Sequence, residues 1–345
     1  MKVLNTCPFN LKEDSIRVLW EITPYCNMNC KHCLFYENTK IERQKELTTK
    51  EVYQIIDNLS KEKKLKAIWL SGGEPLMRKD IVEICKYISN YGIEPSLSTN
   101  GILLTPEKIK QLEEAGVKYM HLSIDGATAS THDALRQVKG SFDKLMKVCD
   151  YLKESSIKRG ASFMVTENSI DEIEDVVKIA KEKELSVLSF YLVAKLGRGA
   201  KNFNNDEIDL RKKLQHKIER LAINDNSDLK IEVFRADHSE KDSILQECKA
   251  DKFLSISYLG NLGACPWLMK SDKSLEVGSL LEEDFVELEK KCKVKIFQKK
   301  AKRREKMSFC NQCGQKEQCG KGCLALQKTE DGLYYGLDPI CPEIA

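Results

Sequence analysis

Three cysteines, Cys26, Cys30 and Cys33, stand in one short stretch with three and then two residues between them. This spacing constrains the chain more than any other feature. Three thiolates in a single loop suit a cubane iron–sulfur cluster whose fourth iron has no protein ligand. A structural zinc ion asks for four closed ligands, and His32, wedged between two of the cysteines, is sterically poor as the fourth. The chain has 14 cysteines. Its first residues, MKVLNTCPFNLKEDS, carry neither the apolar core nor the cleavage site of a secretory signal, and no apolar run reaches the about 18 residues of a membrane helix. A cytoplasmic location and no membrane contact are therefore expected. In a reducing compartment, metal or redox chemistry explains so many thiols better than disulfides do. With 345 residues, 41% hydrophobic and 32% charged, the composition is that of an ordinary globular protein. The balance of 56 basic against 53 acidic side chains gives no electrostatic reason to expect a nucleic-acid partner.

The first two-thirds alternates short apolar, β-branched runs with amphipathic stretches, the pattern of parallel βα units. Strands are expected at Ile16–Ile22, Ala67–Leu70, Glu94–Ser98, Tyr119–Ile124, Ala161–Val165 and Val187–Val193. Helices are expected at Thr48–Leu59, Ile81–Tyr91, Pro106–Ala115, Ser141–Ser155 and Ile173–Glu184. The fold class is α/β, a partial (β/α)6 TIM-like barrel followed by a small cysteine-rich domain. In such a barrel the reactive groups gather where strands end. Here Cys26 to Cys33 follow the first strand, Ser71-Gly72-Gly73-Glu74-Pro75 the second, Thr99-Asn100-Gly101 the third and Asp125-Gly126 the fourth. A polar helical stretch, Asn205–Leu221, and a loop over 224–228 then separate the barrel from a second set of cysteines. The expected organisation is an extension over 1–15, the barrel over 16–225 and the cysteine-rich domain over 226–345. The basic run from Lys290 to Lys306 reads as a solvated helix face rather than a docking patch for an acidic substrate.

Cys-x3-Cys-x2-Cys after a first strand, followed by Gly-Gly-Glu-Pro after a second, resembles the radical S-adenosylmethionine (SAM) enzymes over roughly residues 16 to 200. The resemblance implies that the open iron chelates SAM through its amino and carboxylate groups. It also implies that reductive cleavage yields methionine and a 5′-deoxyadenosyl radical that abstracts a substrate hydrogen. On matching positions, Gly72 and Gly73 would let the backbone approach the ligand and Glu74 would pair with the methionine ammonium. Ser123 and Asp125 would bind ribose hydroxyls, and the Arg136 fork would take the methionine carboxylate. His32 occupies the slot beside the adenine, and Leu192 opens a segment whose Gly197-Arg198-Gly199 resembles the adenine-side turn.

The later cysteines are similar to the SPASM domain, an extension of some radical SAM enzymes that holds two auxiliary [4Fe–4S] clusters. Cys248-x11-Gly260-x4-Cys265, then Cys310-x2-Cys313-x5-Cys319-x3-Cys323, then Cys341 carry this resemblance. It implies three [4Fe–4S] clusters in all. Cys310, Cys313, Cys319 and Cys341 would close one auxiliary cluster, and Cys248, Cys265 and Cys323 would hold the other, one ligand short. Asp251, Cys292, Cys7 or an open iron that binds substrate could complete it. The competing reading of the set is a pair of zinc ribbons. Cys85 and Cys149, on apolar helix faces, read as buried inert thiols, whereas Cys7 and Cys292 are weak candidates for a cluster ligand or a hydrogen-atom donor. Asp237, His238 and Glu247 read as surface residues.

The resemblance implies oxidative modification of a ribosomally made peptide or small protein by crosslink, thioether, epimerisation or side-chain oxidation. A leader peptide would need a separate leader-binding adaptor or direct recognition by the barrel and SPASM surfaces, and a flavodoxin or ferredoxin would be the electron donor. The alternative is a carboxylated small molecule such as a tetrapyrrole haem precursor. A metal-bound scaffold without turnover is the third reading, disfavoured by the SAM-binding constellation.

Overall fold

A computed structural model describes residues 2–4, 15–34, 46–193, 196–203, 207–223, 225–234, 253–306, 312–314 and 324. Cys7, Cys248, Cys310, Cys319, Cys323 and Cys341 lie outside the described residues, as do Asp237, His238, Glu247 and Asp251.

The chain opens with β1 (Lys2–Leu4) and β2 (Ile16–Thr23), then alternates helices and strands. In order these are α1 (Thr49–Leu59), β3 (Leu65–Gly72), α2 (Ile81–Asn90), β4 (Glu94–Thr99), α3 (Pro106–Glu114), β5 (Tyr119–Ser123), α4 (Ala129–Arg136), α5 (Ser141–Lys153), β6 (Lys158–Val165), α6 (Ile173–Glu182), β7 (Val187–Leu192), α7 (Gly199–Asn202), α8 (Glu207–Ala222) and β8 (Lys230–Phe234). The remainder adds β9 (Leu254–Ile256), β10 (Asn261–Gly263), α9 (Pro266–Ser271), β11 (Glu276–Ser279) and α10 (Phe285–Lys306). All the expected strands and helices are present, with ends shifted by a few residues. Entry signals work as the sequence implies: Thr48 and Glu51 form a reciprocal capping box at α1, and Thr105 caps α3 just before Pro106.

One sheet joins every strand, in the order β1-β8-β7-β6-β5-β4-β3-β2-β9-β10-β11. It is parallel from β1 to β9, and β9, β10 and β11 pair antiparallel. Along each barrel strand one set of side chains packs outward under the helices. Val18, Trp20 and Ile22 of β2, Ile68 and Leu70 of β3, and Met120 and Leu122 of β5 all belong to this apolar core. Cys85 and Cys149 sit in it without exposed surface, which agrees with inert thiols. The expected boundary at residue 225 falls between α8 and β8. Because β8 pairs with β7 over five residue positions, the parallel sheet runs on to Phe234, and the later strands β9 to β11 extend the same sheet from β2.

Asn58 of α1 ties the later region to the barrel. Its Nδ2 donates to the carbonyls of Leu280 at 2.9 Å and Glu283 at 2.7 Å, and its Oδ1 accepts from the Phe285 amide at 3.0 Å. An alanine there leaves buried backbone groups unpaired, at about 1–3 kcal/mol for such a group. Asn58→Ala is expected to destabilise the protein by about 2–4 kcal/mol, read as a lowered urea midpoint. An unchanged midpoint would show that water replaces all three bonds.

Candidate active site

Strand ends bring the functional side chains together. The cysteine loop follows β2 and is clamped from several strands. Gly73 and Glu74, after β3, donate their amides to the carbonyls of Thr23 at 2.8 Å and Tyr25 at 2.7 Å. A Cβ on Gly73 would stand 2.0 Å from the Tyr25 oxygen, so the close approach requires glycine. Asn100, after β4, donates to Asn27 Oδ1 at 2.8 Å. From beyond β7, the Arg198 amide donates to the Cys33 carbonyl at 2.9 Å, its Nε donates to the Cys30 carbonyl at 2.8 Å, and its guanidinium also holds Asn29. Asn202 of α7 donates to the Lys31 carbonyl at 2.8 Å. The sequence announced only a Gly-Arg-Gly turn there; that the arginine anchors the cysteine loop was not legible, because its partners lie more than 160 residues earlier.

Asp125 and Arg136, expected to hold different parts of SAM, face each other: Arg136 Nε lies 2.5 Å from Asp125 Oδ2. Arg136 Nη1 donates to Cys30 Sγ at 3.6 Å. The Met164 amide donates to Asp125 Oδ1 at 2.9 Å, and His32 Nε2 lies 3.6 Å from Oδ2. Burial pushes the Asp125 carboxyl up, but Arg136, His32 and His132 outweigh it, so it sits below the ordinary carboxylate value. Burial takes His32 down to about 4, which keeps its imidazole neutral, and its Nδ1 is buried without a protein partner. Glu74 is buried and accepts from the Thr99 hydroxyl at 2.7 Å and the amides of Asn100 at 2.8 Å and Leu76 at 3.2 Å. Burial nonetheless raises its pKa. Ser123 is partly accessible at the end of β5. Leu192 packs its side chain into the outer core, so only its backbone is left for a ligand. Gly72 adopts φ +120° beside the Thr23 carbonyl.

The donor set fits an iron–sulfur cluster. Burial pushes Cys26 up to about 12, and Cys30, Cys33 and Glu74 add to the shift by repulsion. Thiols whose ionisation burial opposes, as at Cys26 and Cys30, become thiolates only against strong positive charge, which iron would supply. The orphaned His32 Nδ1 beside them marks a place for a polar ligand.

Elsewhere, Cys265 caps α9 and Cys313 is partly buried. Cys292 is 1% exposed and belongs to the apolar core at α10. A pair that sequence reading missed joins β2 to α9: Lys270 Nζ lies 3.1 Å from Glu21 Oε2, and burial raises the Glu21 pKa although Lys270 opposes it. No pattern spacing reveals two residues 249 apart.

A parallel partial barrel with a three-cysteine loop at its strand ends, clamped by Gly73-Glu74 and facing a buried Asp125–Arg136 pair, defines a radical SAM enzyme. Residues 20–180 match the profile of the radical SAM superfamily. A radical SAM domain implies SAM and a [4Fe–4S] cluster as cofactors.

Among curated proteins the chain is 29% identical to the AdoMet-dependent heme synthase of Methanosarcina barkeri, covering 94% of this chain and 95% of that one. It is 27% identical to the mycofactocin maturase MftC of Mycolicibacterium smegmatis, over 95% and 83% respectively. Among solved structures, SuiB of Streptococcus suis bound to S-adenosylmethionine superposes with a TM-score of 0.76 at 19% identity, over 97% of this chain and 79% of that one. That likeness is one of fold. No helix among the described residues is long and apolar enough to cross a membrane.

Proposed function

We propose that the chain is an oxidative radical SAM enzyme that modifies a ribosomally made peptide or protein. The cysteine loop, held by Gly73, Asn100 and Arg198 beside Asp125–Arg136, carries this reading. When bound, the cluster and SAM supply a 5′-deoxyadenosyl radical that abstracts a substrate hydrogen. The chain's own residues set the stage for that. Cys26, Cys30 and Cys33 hold three irons, and Gly72 and Gly73 open the backbone to the ligand. Glu74 takes the methionine ammonium on lone pairs left by its three donors. Ser123 offers a hydroxyl to the ribose, and His32 borders the adenine as a neutral ring. Arg136, oriented by Asp125, keeps guanidinium donors for the methionine carboxylate, with Asp125 serving ribose only through its remaining lone pairs. The region after Phe234, with Cys265 at the head of α9, is assigned as a SPASM domain holding two auxiliary clusters. Such clusters would accept the electron that the substrate radical gives up on oxidation, and a flavodoxin or ferredoxin would supply the separate electron that cleaves SAM. The mycofactocin maturase supports a peptide substrate, delivered by a separate adaptor or bound by the barrel and SPASM surfaces.

A second reading, modification of a tetrapyrrole haem precursor, is favoured by the near end-to-end likeness to a heme synthase. On α10, Lys290, Lys291, Lys293 and Lys299 of the basic run pair with Glu287, Glu283, Glu289 and Asp272, so these four have less charge to offer propionates.

The test is anaerobic turnover of reconstituted enzyme with SAM and a reductant, offered the host's peptide fraction or its small-metabolite fraction, with 5′-deoxyadenosine as the readout. Stimulation by peptides with a small mass loss on one species is expected; stimulation by metabolites alone would overturn the peptide reading. The same preparation should carry about twelve iron per chain for three cubanes. Iron near four with zinc present would remove the auxiliary clusters.

A further inference from the structure

Midway along β3 to β7, several inward side chains keep accessible surface that their outward neighbours lack. Trp69, Ser98, His121, Ser162 and Tyr191 are partly accessible, while their strand neighbours Leu70, Leu97, Leu122, Phe163 and Phe190 are fully buried. Helices cover the outer face, so this accessible surface lines the inside of the barrel, read as a chamber. At about 3.3 Å per strand residue, His121 lies about 13 Å below Asp125 along β5, deep beneath the cofactor level.

His121 is held from two sides. Trp69 donates its Nε1 to Ser98 Oγ at 2.6 Å and stands edge-on to the imidazole, with ring centres 5.7 Å apart. The Tyr119 hydroxyl lies 3.3 Å from His121 Nδ1. Tyr119 is itself fixed over Gly160, where a Cβ would come within 2.0 Å of its hydroxyl oxygen. Burial and the Glu232 carboxylate raise the Tyr119 pKa, so the phenol that faces Nδ1 stays a neutral hydroxyl. With that hydroxyl as the donor, the neutral imidazole carries its proton on Nε2. Burial takes His121 to about 4, so the ring is neutral at physiological pH. Its Nε2 is buried and has no partner in the protein. A buried ring nitrogen left so is a deficit that a ligand would remove.

We infer that this chamber receives one end of the substrate and that His121 is its specificity-determining residue, donating from Nε2–H to a carbonyl or carboxylate oxygen. The inference deepens the enzyme reading above and rests on it for the ligand being a substrate. A neutral donor among aromatic walls selects an oxygen acceptor without demanding a counter-charge. A peptide carbonyl and a propionate carboxylate share this chemistry.

The experiment needs no turnover, so its failure is separable from failure of the turnover test. Full-length holoenzyme labelled with 15N-histidine, prepared anaerobically with clusters and SAM, is followed by two-bond 1H–15N correlation spectra. His121 is assigned by the signal lost in His121→Gln. Propionate and N-acetylglycinamide are the two probes, and binding of such small molecules is expected at millimolar concentration. Expected are a protonated Nε2 that stays so from neutral to alkaline pH, and a saturable shift of it with at least one probe. Propionate alone would point to a carboxylate end, N-acetylglycinamide alone to a peptide carbonyl, and both to the shared chemistry. Tyr119→Phe should let the proton redistribute to Nδ1, which a purely space-filling imidazole would not do. An unprotonated Nε2 in the wild-type protein, or no shift with either probe, overturns the inference.

Discussion

Gly73→Ala is expected to empty the N-terminal iron site, lowering iron by about four atoms per chain and abolishing reductive cleavage of SAM. The added Cβ would meet the Tyr25 oxygen at 2.0 Å, the Tyr25 carbonyl carbon at 2.4 Å and the Cys26 nitrogen at 3.1 Å. All three are backbone atoms entering the cysteine loop, and none can swing aside as a side chain would. The loop must shift, and with it go the Glu74–Tyr25 bond and the placing of Cys26 that follows it in the chain. The apolar core lies on the other face of the sheet, so far-UV circular dichroism should be retained. Gly92→Ala is the control. It has a positive φ of 71° but open space around its Cβ, so a backbone cost of about 1–2 kcal/mol should leave iron content untouched. Full iron in Gly73→Ala would refute the clamp.

Asp125→Asn is expected to cost about 3–5 kcal/mol of stability, because it strands the buried Arg136 guanidinium without its counter-charge. SAM cleavage should fall by about 100-fold or more, as when one oriented electrostatic contact at a reacting centre is removed. The sign with pH follows from the depressed carboxyl. The folded value lies below the unfolded one, so the stabilisation is full above the unfolded value of about 3.9 and disappears only as pH falls through the folded one. At neutral pH the whole difference between Asp and Asn should therefore be seen in thermal unfolding. Asp125→Asn with Arg136→Gln removes both charges and should regain part of the stability while cleavage stays low. Equal stability of the single and double variants would mean that the two charges do not interact.

The parallel strands were legible because each is a short apolar run bounded by turn residues, and burial on the helix side demands that pattern. Helix α4 was not, because Ser130, Thr131, His132 and Asp133 dilute its apolar face within one short helix. Strand β8 was assigned beyond the barrel because a polar helix and loop precede it, although its Ile231 and Val233 pack into the outer core. The three-residue strands β9 and β10 are too short for any periodicity to register. At the site, the cysteine loop and Gly72-Gly73-Glu74 were readable as contiguous motifs. The mutual grip of Asp125 and Arg136 was not, since each had been matched to the cofactor separately. Arg198, Lys270 and the lumen face of His121 depend on tertiary contact and leave no trace in local spacing.

The sheet has one further consequence. Both flanks of the six-strand barrel core are already paired, β7 by β8 and β1, and β2 by β9, β10 and β11. A chain running alongside the barrel finds no vacant rung next to the reactive centre, so recognition by strand addition is confined to the outermost strands, β1 and β11. An extended substrate would then be held through its side chains and termini rather than by joining the ladder beside the reactive centre. Its selectivity should then depend on the residues nearest the modified one and little on the sequence further away.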